Sequence, residues 1–144
     1  MTFLEALYGS QYHEIAQRGS DGNKGRLNGN LFLSAFIIVI FFVVIAFMFD
    51  FLPGFADKSD HFLSSISGGM PGKSLGKLLA IPLLGSIYFI ISSTVGSEAN
   101  FKTRVDTFMQ YPDDVKEKAN AKLLVPFCIA TGLLLVLGLI SLHS

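Results

Sequence analysis

Tryptophan is missing from this chain, cysteine occurs once, and charge is scarce: only 15% of the residues are Asp, Glu, Lys or Arg. Each shortage excludes something. A lone cysteine, Cys128, rules out an internal disulfide and leaves the redox compartment open. Soluble domains usually carry about 25% charged residues, so this composition is poor in water-facing surface. Eleven basic and eleven acidic residues cancel. No net basic field therefore exists to draw nucleic acid, and no nucleic-acid partner is expected. None of the five asparagines begins an N-glycosylation sequon. The first thirty residues hold no apolar run, so no standard signal peptide is expected there.

The usual catalytic and metal signatures are missing too. There is no C-x-x-C, no H-E-x-x-H and no histidine pair one helical turn apart. His13, His61 and His143 are scattered, and none falls inside an apolar run, which leaves an in-membrane haem without ligands. Asp57, Asp60 and His61 form a loose acidic group that reads as a solvated loop. Cys128 has nothing beside it to make a thiolate. No cofactor, metal or catalytic set is expected, and the chain is not read as an enzyme.

What the sequence has in quantity is apolar length. Residues 31–52, LFLSAFIIVIFFVVIAFMFDFL, carry one charge, Asp50. Residues 78–95, LLAIPLLGSIYFIISSTV, are softer, with a proline, a glycine and several hydroxyls. Residues 123–142, LLVPFCIATGLLLVLGLISL, carry no charge. A hydrocarbon core takes about 20 apolar residues of helix, and backbone crossing it must bond to itself. The predicted fold is therefore an all-α integral membrane protein with three transmembrane helices and short amphipathic surface helices. Pro82 and Pro126 are expected near the starts of their helices, where a missing N–H costs little.

The remaining segments are residues 1–30, 53–77 and 96–122. The first opens with a capping-box pattern, Thr2 and Glu5. Phe3, Leu4, Leu7, Tyr8, Tyr12 and Ile15 then recur at three- and four-residue steps. They predict an amphipathic helix, interrupted near Gly9, that suits a membrane surface, a partner, or this protein's own loops. Residues 19–30, GSDGNKGRLNGN, read as a flexible link. In 53–77, SDHFLSSIS is a helix candidate with Phe62, Leu63 and Ile66 on one face. In 96–122, Phe101, Val105, Phe108 and Met109 form a helical stripe that Pro112 ends, and Asp113 and Asp114 open a helix running into the third apolar run. The expectation on that side is two short helices and a helical extension, without a folded domain.

With three crossings, residues 1–30 and 96–122 share a side. They hold eight of the eleven lysines and arginines, against Lys58, Lys73 and Lys77 opposite. The positive-inside rule then predicts a cytoplasmic or matrix-side N-terminus, an outside C-terminus, and a bacterial or organelle inner membrane.

SGGMPGKS, residues 67–74, falls one glycine short of the phosphate-loop pattern G-x-x-x-x-G-K-[ST]. No strand leads into it, and it falls on the side away from cytoplasmic ATP. It reads as a glycine-rich turn before a membrane helix. KLLAIPLLG and KLLVPFCIATG share a lysine, a leucine pair and a proline, which reads as a common way to start a membrane helix rather than as an inverted repeat.

Asp50 is the most informative single residue. A carboxylate at mid-membrane costs about 2.5–3.5 kcal/mol, and less near an end. Asp50 with Lys73 and Lys77 forms a candidate ion or proton site; the alternative is an interfacial aspartate in a salt bridge or in headgroup water. Small residues mark candidate helix-packing stripes: Ala35 and Ala46; Gly85, Ser92 and Ser93; Thr131, Gly138 and Ser141. Bulky Phe36, Ile37, Ile40, Phe41, Val44 and Ile45 are expected to face lipid or a larger partner. The favoured function is a non-catalytic small multi-pass subunit of a larger respiratory, secretion or transport complex, its partners being membrane lipid and other membrane subunits. The alternative is a homo-oligomeric channel or small transporter using Asp50 and the polar face of the second helix.

Overall fold

A computed structural model describes residues 1–69 and 72–143, with side chains for all of these except 72, 73 and 75. Every regular element among the described residues is helical. They are α1 (Phe3–Gln17), a 3-10 turn (Gly22–Lys24), α2 (Gly25–Phe51), α3 (Phe55–Ser67), α4 (Gly72–Ser93), α5 (Glu98–Met109), α6 (Asp113–Glu117) and α7 (Ala119–His143).

Three stretches are long and apolar enough to cross a membrane: Gly22–Phe51, Gly76–Ser93 and Asp113–His143. They coincide with the three apolar runs but begin earlier in the chain. That corrects the expected position of both prolines. Pro82 and Pro126 lie inside α4 and α7, beyond the first turn. Each therefore removes a real i→i−4 hydrogen bond, leaving the carbonyls of Leu78 and Lys122 without that partner.

α2 is the central helix. α7 and α4 both pack on it, and α1 crosses its beginning. At that end α1, α5 and the first turns of α2 and α7 close around a core. Ala6, Leu7, Phe108, Ala119, Leu123, Leu33 and Ile91 form one cluster, with Tyr8, Phe101 and Val105 beside it. This cap is a packed layer: of the settings open to the N-terminal helix, packing on this chain's own elements is the one observed. α1 spends its apolar face inside the chain: Ala6, Leu7 and Tyr8 are fully buried. α1 also runs unbroken through Gly9. The glycine is there because a Cβ would stand 2.0 Å from Phe108 Cγ.

The predicted flexible link is ordered as well. Asp21 caps the 3-10 turn through its side chain, accepting from Asn23 N at 3.0 Å, and α2 starts directly after it. Gly22, Gly25 and Gly29 recur at helical spacing beneath two aromatic rings. A Cβ on Gly22 would meet the Tyr12 ring at 2.6 Å, one on Gly29 the Tyr8 ring at 2.6 Å, and one on Gly25 the backbone nitrogen of Tyr12 at 2.8 Å. Local composition suggests looseness; close approach of α1 to α2 is the reason for it.

The capping box at Thr2 and Glu5 is present in both directions. α5 buries Phe101, Val105 and Phe108 as the stripe predicts, while Met109 is exposed. Because α1 packs on α5, residues 1–30 and 96–122 do meet at one end of the bundle.

Candidate functional site

Asp50 lies one residue before the end of α2, and its surroundings decide what it can do. With Phe42, Ile45, Ala46 and Phe49 of α2, it faces Leu134, Leu137, Gly138 and Ser141 of α7 across an open groove of about 350 Å³. Three residues read from the sequence as packing positions, Ala46, Gly138 and Ser141, therefore gather around Asp50. The carboxylate oxygen Oδ2 is buried there and has no hydrogen-bond partner. An unpaired buried acceptor carries its full desolvation penalty, larger still if it is charged.

Of the two lysines expected to answer it, Lys77 does not. Lys77 stands exposed on α4 and makes no ion pair with Asp50; the side chain of Lys73 lies outside the described residues. The ion pairs found are surface pairs within one helix or turn, such as Lys102–Glu98 at 2.8 Å. Nor does the polar stripe of α4 reach Asp50, since the groove is built from α2 and α7 alone.

The remaining predicted packing residues are dispersed. Ala35, Gly85 and Ser93 are exposed. Ser92 Oγ donates to Phe89 O at 3.0 Å and Thr131 Oγ1 to Phe127 O at 2.9 Å, each satisfied within its own helix. A Cβ on Gly85 or Gly138 would meet nothing within 4 Å. Neither glycine marks a close approach inside this chain. Of the bulky set, Ile37, Ile40, Phe41 and Val44 are exposed, Ile45 lines the groove, and Phe36 stacks on Phe3 with ring centroids 5.6 Å apart.

The closest contacts that sequence reasoning missed are in the cap. Tyr8 Oη donates to Asn30 Oδ1 at 2.8 Å, and Asn30 Nδ2 donates to Gly96 O at 3.3 Å. This buried chain ties α1 to α2 and to the α4–α5 corner. Burial pushes the Tyr8 phenol up to about 12, against the pull of Arg104 and Arg26. The signal available was the spacing of Gly22, Gly25 and Gly29, followed at once by Asn30.

A second, polar recess of about 610 Å³ opens between α1, α5, α6 and α7. Ser10, His13, Glu14, Lys116, Glu117 and Asn120 are among its lining residues. Ser10 Oγ is committed to Leu7 O at 3.2 Å, and Lys116 pairs with Asp113 at 3.4 Å. Among the described residues no group of three or more His, Cys, Asp or Glu is arranged to hold a metal. Among the described residues, Arg104 Nε is the other buried side-chain atom without a partner.

SGGMPGKS forms the α3–α4 turn at its described end. Gly68 and Gly69 sit at φ 51° and 91°, a region glycine adopts without strain, and residues 70 and 71 lie outside the described residues. No protein family, curated protein or solved structure matches this chain.

Proposed function

We propose that this chain is a non-catalytic multi-pass subunit of a larger membrane assembly, and that a transmembrane helix of a partner seats in the groove beside Asp50. The observation that carries this reading is the pairing of Asp50 Oδ2, buried without a partner, with Gly138, whose missing side chain leaves open space beside it. Helices associate in lipid through small residues that admit a close backbone and through polar groups that bond across. A partner helix would supply both: a close backbone over Gly138 and, once the side chains covering Oδ2 move aside, one donor to Asp50. The three long apolar helices are then membrane-crossing, and the cap, with eight of the eleven lysines and arginines at its end, faces the cytoplasm or matrix of an inner membrane.

The docking role moves from α1, whose apolar face is used up in the cap, to the groove. The channel reading has less behind it, because Asp50 faces α7 rather than the hydroxyls of α4.

Extraction in mild detergent followed by native gels and mass spectrometry tests the proposal. The expected result is a particle much heavier than 15.7 kDa, containing other polypeptides at fixed ratio. Gly138→Leu fills the groove from a position where a first carbon meets nothing, so it should release those polypeptides and leave this chain folded. A monomer in every mild detergent, or ion flux through vesicles holding this protein alone, would overturn it.

A further inference from the structure

α3 is the one long helix that buries nothing: none of its residues is buried in the chain. At 100° per residue, Phe55, Ser59, Phe62, Leu63 and Ile66 share one arc, and Asp57, Asp60, His61 and Ser64 lie opposite. Phe55 alone on that arc has a ring partner, Phe49 of α2, edge-on with centroids 5.1 Å apart. Beyond it the apolar arc is bare: Phe62 is 65% exposed, Ile66 50% and Leu63 38%.

The tethers decide what covers this face. α3 begins just past the end of α2, after a turn at Gly54 with φ 75°. Four residues, 68–71, then separate it from α4. If α2 and α4 cross a membrane, both ends of α3 are held at one surface. Standing upright, its 13 residues would lift Ser67 about 20 Å away from that surface. The five Cα steps from Ser67 to Gly72 reach at most about 18 Å, and only when fully extended, whereas Gly68 and Gly69 are left-handed turn residues. An upright α3 would need this loop drawn almost straight, so the turn favours a helix lying along the boundary, at the depth where headgroups meet acyl chains.

We infer that α3 is an interfacial helix, with Phe62, Leu63 and Ile66 seated in the lipid at the membrane boundary and Asp57, Asp60 and His61 turned to water. The inference rests on α2 and α4 crossing the membrane, and deepens that part of the proposed function. The polar face carries Asp57 and Asp60 against Lys58, so apolar burial and not attraction to anionic headgroups holds it. Its seating should not depend on the anionic lipid fraction.

The absence of native tryptophan makes the test direct. Phe62→Trp, Ile66→Trp, His61→Trp and, on α4, Phe89→Trp are each made in the full chain and reconstituted into phosphatidylcholine vesicles with brominated acyl chains. Phe62→Trp and Ile66→Trp should emit at short wavelength, lose intensity to the bromines and resist aqueous acrylamide. His61→Trp should do the reverse. Quenching of both apolar-face variants by acrylamide puts α3 in water and overturns the inference. Protection from both quenchers puts a protein over the face and also overturns it. Phe89→Trp separates the two premises: bromine quenching there with a wet α3 sinks only this inference, whereas a wet Phe89→Trp sinks the membrane reading itself.

Discussion

Tyr8 and Asn30 are joined by a 2.8 Å hydrogen bond from phenol to amide oxygen, sealed from solvent, although they stand on different helices and 22 residues apart. The bond is the lock between α1 and α2. Tyr8→Phe keeps the ring against Phe101 and removes only the donor. Asn30 Oδ1 is then buried without that donor, at a cost of about 1–3 kcal/mol. The expected outcome is a cap that opens at lower denaturant in detergent or vesicles, read by protease cleavage within residues 1–30, while the apolar helices stay intact.

The same phenol predicts a pH window. Its folded value is raised to about 12 from an ordinary 10. Below pH 10 the group is neutral in both folded and unfolded chains, and its contribution to stability is complete. Between about pH 10 and 12 the unfolded chain ionises first, so stability falls with rising pH. Protection of α1 and α5 amides, taken against intrinsic exchange at each pH, should fall across that interval in the wild type. In Tyr8→Phe this part of the pH dependence should be missing.

At the acid end, Glu5 works in the opposite direction. The backbone N–H of Thr2 donates to its carboxylate at 2.7 Å, and the Tyr111 hydroxyl does so at 3.1 Å, which together hold it below the ordinary carboxylate value. Its contribution is present above about pH 4.5 and is lost as pH falls through the lowered value. Protection of the first-turn amides of α1, taken against intrinsic exchange at each pH, should fall on acidification before the rest of the cap responds. Glu5→Gln should show the faster exchange already at neutral pH.

How much of this was legible in the sequence depends on distance along the chain. The long apolar helices announce themselves because a run of Leu, Ile, Val and Phe is a local property. So do the Thr2–Glu5 box and the Phe101, Val105, Phe108 stripe. The cap does not, because GSDGNKGRLNGN has the composition of a linker, and only α1, through the rings of Tyr8 and Tyr12 and the backbone at Tyr12, makes Gly22, Gly25 and Gly29 contact points. Tertiary packing overrides weak local propensity there. Asp50 is conspicuous in the sequence as the one charge in its apolar run, but its neighbours are not: Lys77, expected on the same side, makes no ion pair with it, and the residues that line the groove with it, Gly138 and Ser141, are remote in sequence.

The glycines separate two kinds of role, and alanine substitution should sort them. Gly9→Ala places a carbon 2.0 Å from Phe108 Cγ, and Gly96→Ala places one 1.8 Å from Asn30 Oδ1. Both must displace buried groups, and overpacking of this kind costs about 1–3 kcal/mol. Gly85→Ala meets nothing within 4 Å and should be neutral for the isolated chain. Thermal unfolding of the three variants in one detergent checks the ranking. A Gly85→Ala variant that unfolds as early as Gly9→Ala would contradict it.

Asp50 can be used to learn what its partner brings. Asp50→Asn keeps the size and one acceptor oxygen and removes the charge; Asp50→Leu keeps bulk and removes both. If the seated helix presents Lys or Arg, Asn should weaken the complex strongly, because a cation is left buried without its counter-charge. If it presents a neutral donor such as Ser, Asn or Gln, Asp50→Asn should hold the complex about as well as wild type, or better, since no carboxylate need be desolvated. Leu should break the neutral pairing by only about 1–2 kcal/mol, the usual worth of one interhelical hydrogen bond in lipid. Co-purification yields of the two variants against wild type, in the same mild detergent, distinguish these cases. Full retention of partners by both would remove Asp50 from the interface altogether.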